Sequence, residues 1–177
     1  VAIKSLRPGQ NVENICVLNS TMVGFAFADG ITIGFETNGP VMKDILARNC
    51  DIVLSGGGNA VGRHSAFSII ADGPGWVTDV RFENLRVEAA VDRLFELHVT
   101  DGSAYVKRGP GHIRGVYLKD ITWAAAKPII LSGLDDNHLV EDVVFDHCTV
   151  AGQPLRRDMT DIVTIDPFVR NVTFKTP

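Results

Sequence analysis

Val77-Thr78-Asp79-Val80-Arg81-Phe82-Glu83-Asn84 is the stretch that decides how this chain is built. It reads apolar, polar, Asn/Asp/Gly, apolar, any residue, apolar, and closes on a polar turn residue. The same pattern recurs at 11–19, 41–49, 113–120, 140–147 and 169–176. The end positions 19, 49, 84, 120, 147 and 176 are spaced by 27 to 36 residues. A second segment type is interleaved with the first: Val1-Ala2-Ile3-Lys4, Ile31-Thr32-Ile33-Gly34, Phe67-Ser68-Ile69-Ile70, Phe95-Glu96-Leu97-His98, Ile129-Ile130-Leu131-Ser132 and Val163-Thr164-Ile165-Asp166. Both types alternate with period two, so both predict strands rather than helices.

Short strands of two types at a recurring interval, each too small to fold alone, predict coils that stack on their neighbours. We therefore expect one all-β domain over 1–177, a single-stranded right-handed parallel β-helix of about six coils. In this arrangement Val12, Ile15 and Val17 face inward and lie under Ile45 and Ala47. Val80 and Phe82, Val116 and Leu118, Val143 and Phe145, and Val172 and Phe174 continue the same columns. Asn19, Asn49, Asn84 and Asp120 fall at one turn of successive coils, where stacked side chains can hydrogen-bond from coil to coil. A two-sheet antiparallel sandwich also yields many short strands, but it does not predict equivalent residues at a recurring interval. The Leu-x-x-Leu-x-Leu signature of leucine-rich repeats is missing.

Composition narrows the partners. The 177 residues are 45% hydrophobic and 21% charged, with a net charge of −4 and an isoelectric point near 5.7. This balance gives no basic footprint for nucleic acid, and no apolar run approaches the roughly 18 to 20 residues of a membrane-spanning helix. Cys16, Cys50 and Cys148 are an odd number at no metal-like spacing, which predicts buried free thiols. The chain opens on Val1 with no secretory leader pattern, as expected of a processed end or of a cut through a longer product. A coil end exposes strand edges and core, so self-association into a homo-oligomer through the β-helix ends is expected.

Three connections are long: 54–65, 100–111 and 151–160. The first carries Gly56-Gly57-Gly58-Asn59-Ala60-Val61-Gly62-Arg63-His64, which lacks the Lys-Ser/Thr of a phosphate loop. Its glycines fit tight turns at positive φ. The basic second loop is read as a solvated excursion or as a groove wall, the former preferred.

Several segments resemble the polygalacturonase-like glycoside hydrolases. Val1-Ala2-Ile3-Lys4-Ser5 is similar to the strand that follows that family's paired aspartates, in the pattern Asp-Asp-x-x-Ala-Ile-Lys/Asn-Ser. The 11–22 stretch resembles its next strand, and Asp29-Gly30-Ile31-Thr32-Ile33-Gly34 resembles its Gly-His-Gly-x-Ser-Ile-Gly segment. The resemblance covers the whole chain as the C-terminal half of a longer β-helix. It implies hydrolysis of O-glycosidic bonds in a polysaccharide or oligosaccharide by inversion, without metal or other cofactor, in a secreted or periplasmic protein. The chain departs from the pattern in three places. The aspartate pair would fall immediately before Val1, Asp29 stands where the family has His, and Ser68-Ile69-Ile70 stands where it has an Arg-Ile-Lys clamp. Loss of both cations points away from a galacturonate, whose carboxylate needs a charge partner, and towards a neutral glycan.

The outward positions of the second strand type carry the candidate site residues. Asp29 is the foremost candidate acid, with a turn role in Ala28-Asp29-Gly30 as the alternative. Glu96 and His98 project to one side with Arg93 nearby, a cluster suited to acid–base work or to a solvated ion pair. Asp29, Glu96 and His98 are thus the catalytic candidates, and Lys4, Arg63, His64, Ser68 and Trp76 the substrate-binding ones. Trp76 is read as an exposed platform for a sugar ring and Trp123 as core. Asp135-Asp136-Asn137 reads as a turn rather than an acidic dyad.

Overall fold

A computed structural model describes residues 1–24, 28–57 and 64–176, and no helix occurs among them. The strands in chain order are β1 (Ala2–Ser5), β2 (Val12–Leu18), β3 (Thr21–Val23), β4 (Ile31–Thr37), β5 (Val41–Leu54), β6 (Ser65–Ala71), β7 (Trp76–Val87) and β8 (Arg93–Val99). They continue as β9 (His112–Lys119), β10 (Thr122–Trp123), β11 (Ile129–Ser132), β12 (Val140–Asp146), β13 (Thr149–Val150), β14 (Gln153–Pro154), β15 (Val163–Ile165) and β16 (Val169–Lys175). The chain is all-β and its strands form two sheets. The first has the order β1-β4-β6-β8-β11-β15, and the second has ten strands. Every described pairing between strands is parallel except the short β13–β14 pair.

Register follows the repeat residue by residue. In the first sheet Ile33 stands opposite Ile3 and Ile69, Leu97 opposite Ile69 and Leu131, and Leu131 opposite Ile165. In the second, Val17 meets Ala47, then Phe82, Leu118, Phe145 and Phe174. These columns face each other across the core. Phe67 of the first sheet packs on Phe82 of the second at 4.7 Å between ring centroids and on Phe95 at 4.9 Å.

The Asn/Asp/Gly position of the repeat has a definite backbone role. Asn14, Asp44, Asp79, Gly115, Asp142 and Asn171 all adopt φ between 53° and 70°. One left-handed residue inside a strand resets the alternation, so Val77, Val80 and Phe82 all turn inward and are fully buried. A left-handed conformation costs most L-residues about 1–2 kcal/mol, and Asn, Asp and Gly tolerate it best. A second left-handed column, Asn19, Asn49, Asn84, Asp120 and His147 at φ 50–56°, bends the chain at the end of each repeat. Asn49 Nδ2 donates to Asn19 Oδ1 (3.2 Å) and Asn84 Nδ2 to Asn49 Oδ1 (2.9 Å). The expected ladder thus runs from repeat to repeat over Asn19, Asn49 and Asn84.

All three cysteines are free, but only Cys50 and Cys148 are buried; Cys16 is exposed, contrary to expectation. Cys16 is an outward residue of β2, between the inward-packing Ile15 and Val17. Trp123 is fully buried, as expected. Asp135 caps its own turn, accepting from Asn137 N–H (2.8 Å) and pairing with His138 Nδ1 (2.8 Å).

Candidate functional site on the first sheet

The outer face of the first sheet brings together several of the candidate residues with little solvent exposure. Side chains on neighbouring parallel strands lie about 4.8 Å apart, so Thr32, Ser68, Glu96 and Ile130, which are in register, form one row. Asp29 precedes β4 and folds its carboxylate back over this row. Its Oδ1 accepts from Ser65 N–H (2.9 Å) and meets His64 Nδ1 (3.2 Å). Its Oδ2 accepts from the hydroxyls of Ser68 (2.5 Å) and Thr32 (3.1 Å). Asp29 is therefore more than a turn residue, since its carboxylate ties β4, through Thr32, to β6 and the residue before it, through His64, Ser65 and Ser68.

Glu96 lies one strand further along. Its Oε2 pairs with the Arg93 guanidinium and lies 3.4 Å from the Ser65 hydroxyl. Its Oε1 is 3.4 Å from His98 Nδ1. The side chains of Glu96 and Arg93 are only 8% and 12% exposed, so this is not a solvated ion pair. Burial pushes the Glu96 carboxyl up, but the His98 hydrogen bond and the Arg93 charge outweigh it and hold the group below the ordinary carboxylate value. Ser65 joins the two acids, with its N–H on Asp29 and its hydroxyl on Glu96.

A cavity of about 340 Å³ opens over these groups, lined by Asp29, His64, Ser68, Arg93, Glu96 and His98 among others. A second cavity of about 350 Å³ adjoins it through Asp29, Phe35 and His64, and brings in Lys4, Glu36 and Tyr105. Each is at the low end of pockets that enclose small ligands, about 300 to 1,000 Å³. Lys4 pairs with Glu36 (2.9 Å) and stands 5.8 Å from the Tyr105 ring centroid. Thr100, Gly102 and Ser103 line the first cavity and Tyr105 the second, so the start of the 100–111 loop is a groove wall, while Lys107 and Arg108 are exposed as a solvated excursion predicts.

Asp29, His64, Ser68, Glu96, His98 and, at the margin, Lys4 are thus brought together. Trp76 is not. It is 43% exposed and stacks on His112 at 4.1 Å, yet it lines a separate cavity with Arg114 and Asp142 on the second sheet. Arg63 and much of the glycine-rich loop lie outside the described residues. A larger cavity, about 620 Å³, also faces the second sheet, between Asp44, Asp79, Arg81 and Asp142. Its charges are surface ones; Arg81 pairs with Glu83 and Asp142 with Arg114. We give the smaller groove priority because Glu96 is buried, Asp29 is part-buried, and both converge on one opening.

Sequence reasoning missed Ser65, Phe35 and Asp72. Asp72 is fully buried and binds the wall loop, accepting from the Ser103 hydroxyl at 2.6 Å. The only cue was an Asp-Gly pair that reads as an ordinary turn. No group of His, Cys, Asp and Glu with metal-binding geometry occurs among the described residues. Comparisons with protein-family models, curated proteins and solved structures give no match to the chain.

Proposed function

We propose that the chain is a right-handed parallel β-helix of the polygalacturonase-like type, and that the groove on its first sheet takes a neutral polysaccharide or oligosaccharide. The observation that carries this is the convergence of two hydrogen-bonded carboxylates, the buried Glu96 and the part-buried Asp29, on one opening. Sugars offer hydroxyls that both donate and accept, and the groove presents carboxylates, serine hydroxyls and imidazoles suited to them. Among the described residues, both Lys/Arg side chains of the groove are already matched by carboxylates, Arg93 by Glu96 and Lys4 by Glu36. An acidic sugar finds no unmatched cation among these groups.

Inverting hydrolysis requires a carboxylate that takes a proton from water as its oxygen attacks the anomeric carbon, and an acid that protonates the departing oxygen. Glu96, held ionised, suits the first role, with His98 beside it. Asp29 has each oxygen met by two hydrogen-bonding groups, so it suits orienting Ser68 and His64 better than delivering a proton. That engagement favours a second reading, a carbohydrate-binding groove with little turnover of its own. Calorimetric titration with neutral and acidic glycans, run beside reducing-sugar release, separates the two. Binding with release that Glu96→Gln abolishes marks a hydrolase, and binding without release marks the binding module. Failure to bind or cleave any glycan would sink both.

A further inference from the structure

Strand β4 leaves its ladder at the groove. Ile33 pairs with Ile3, but the next partner of β1 is Thr37, opposite Ser5. Gly34, Phe35 and Glu36 therefore bulge out against Lys4 alone. All three have positive φ, at 94°, 52° and 137°. Gly34 is obligatory, because a Cβ there would sit 2.0 Å from the Ile70 carbonyl oxygen. Phe35 and Glu36 have no such freedom and sit in sparsely populated backbone regions that persist only where the surroundings enforce them.

Asp72 enforces them. Its Oδ1 accepts from the N–H groups of Glu36 (2.8 Å) and Thr37 (3.1 Å) and from the Thr37 hydroxyl (3.2 Å). Its Oδ2 accepts from Ser103, at the base of the wall loop. The buried carboxylate thus ties the bulge to the loop. The result is a phenylalanine 41% exposed, on the rim shared by both cavities. Strained backbone and exposed aromatic surface both oppose folding, so neither serves stability. Bulges next to binding sites re-aim a side chain.

Resting on the glycan groove proposed above, we infer that Phe35 is a stacking platform for the apolar face of a neutral sugar, marking a subsite between the two cavities, and that Asp72 with Ser103 is the device that positions it. Aromatic stacking recognises ring faces and needs no charge, in keeping with a groove in which Arg93 and Lys4 are matched by carboxylates.

The test uses the full chain and short oligosaccharides of glucose, mannose, galactose and xylose, titrated calorimetrically. For a sugar that the wild type binds, Phe35→Ala is expected to weaken Kd about tenfold and Phe35→Trp to preserve it, with a fluorescence shift on binding. Asp72→Asn is expected to weaken Kd in the wild-type background but not in the Phe35→Ala background, a coupling that general destabilisation would not produce. Ser103→Ala takes its place if Asp72→Asn does not fold. Wild-type affinity in Phe35→Ala overturns the platform. Equal weakening by the Asp72 or Ser103 variant in both backgrounds overturns the positioning device. Absence of binding by the wild type to every sugar is the separate failure of the groove itself, and takes the platform with it.

Discussion

Replacing Glu96 by Gln removes one charge and almost no volume, so its consequences isolate the electrostatics of the groove. In the wild type the carboxylate meets Arg93 and lies beside His98, with little of it or of Arg93 in contact with solvent. Removing one partner of a buried ion pair costs about 3–5 kcal/mol, mostly from the charge left unpaired. The groove is open on the His98 side, where that side chain is 43% exposed, and the amide can still accept one bond from Arg93. We therefore expect a loss below that range, about 2–3 kcal/mol, at neutral pH. With a urea m-value of about 2 kcal/mol/M, the midpoint falls by about 1 to 1.5 M. The sign with pH follows from the depressed carboxyl. Its stabilisation is fully present above the ordinary value of 4.5 and is lost as pH falls below 4.5 through the lower folded-state value. A protonated Glu96 closely resembles Gln, so the gap between wild type and Glu96→Gln should narrow as pH falls through that window. Urea melts at a series of pH values measure this directly. A variant as stable as wild type at neutral pH, or a gap that does not change on acidification, would refute the buried-pair account.

Other expectations concern the scaffold. Asn49→Ala should cost about 2–3 kcal/mol in a denaturant melt, combining a left-handed alanine with the loss of both exposed ladder bonds, to Asn19 and from Asn84; Asn49→Gly should cost less, and equal losses would show that the ladder rather than φ dominates. Phe67→Ala should cost about 3–5 kcal/mol, because the ring packs on Phe82, Phe95 and Trp123. In native protein a thiol reagent should label Cys16 alone, since Cys50 is buried and burial pushes the Cys148 thiol up to about 12; rapid labelling of three thiols before unfolding would contradict that packing.

The scaffold was legible because its physics repeats. Each column is built from residues at equivalent positions, so one noisy segment such as Gly115 in place of Asp79 does not hide the pattern. Even the left-handed position showed in the sequence as Asn, Asp or Gly, although its effect on alternation did not. The groove was legible only in part. Outward residues of the second strand type, Ser68, Glu96 and His98, follow from period two alone. Asp29 and His64 lie between strands, and their meeting depends on how two connections fold back. Trp76 was correctly read as exposed and wrongly grouped with the groove, because exposure says nothing about which sheet a residue faces. Cys16 shows the converse, since the tendency of cysteine to be buried is only a statistical preference.

What distinguishes scaffold from site in this molecule is whether a local cost recurs. Left-handed residues appear in every repeat of the second sheet, in register, and are occupied by Asn, Asp, Gly and His apart from one Ala at 151. They are the means of bending the chain and aligning successive repeats, and all but Ala151 are residue types that lessen the cost. In the first sheet, among the described residues, positive φ occurs only at Gly34, Phe35 and Glu36. The next strand continues through the register position of Gly34 at Ile70 without it. Here two of the three residues are types that raise the cost, and a buried carboxylate from another segment is needed to hold them. A folding requirement common to all repeats would have selected the same solution in each. A cost incurred once, at the rim of the groove that gathers Asp29 and Glu96, is the local inconsistency expected where function overrides stability. The departure from the repeat, more than the repeat itself, locates the site.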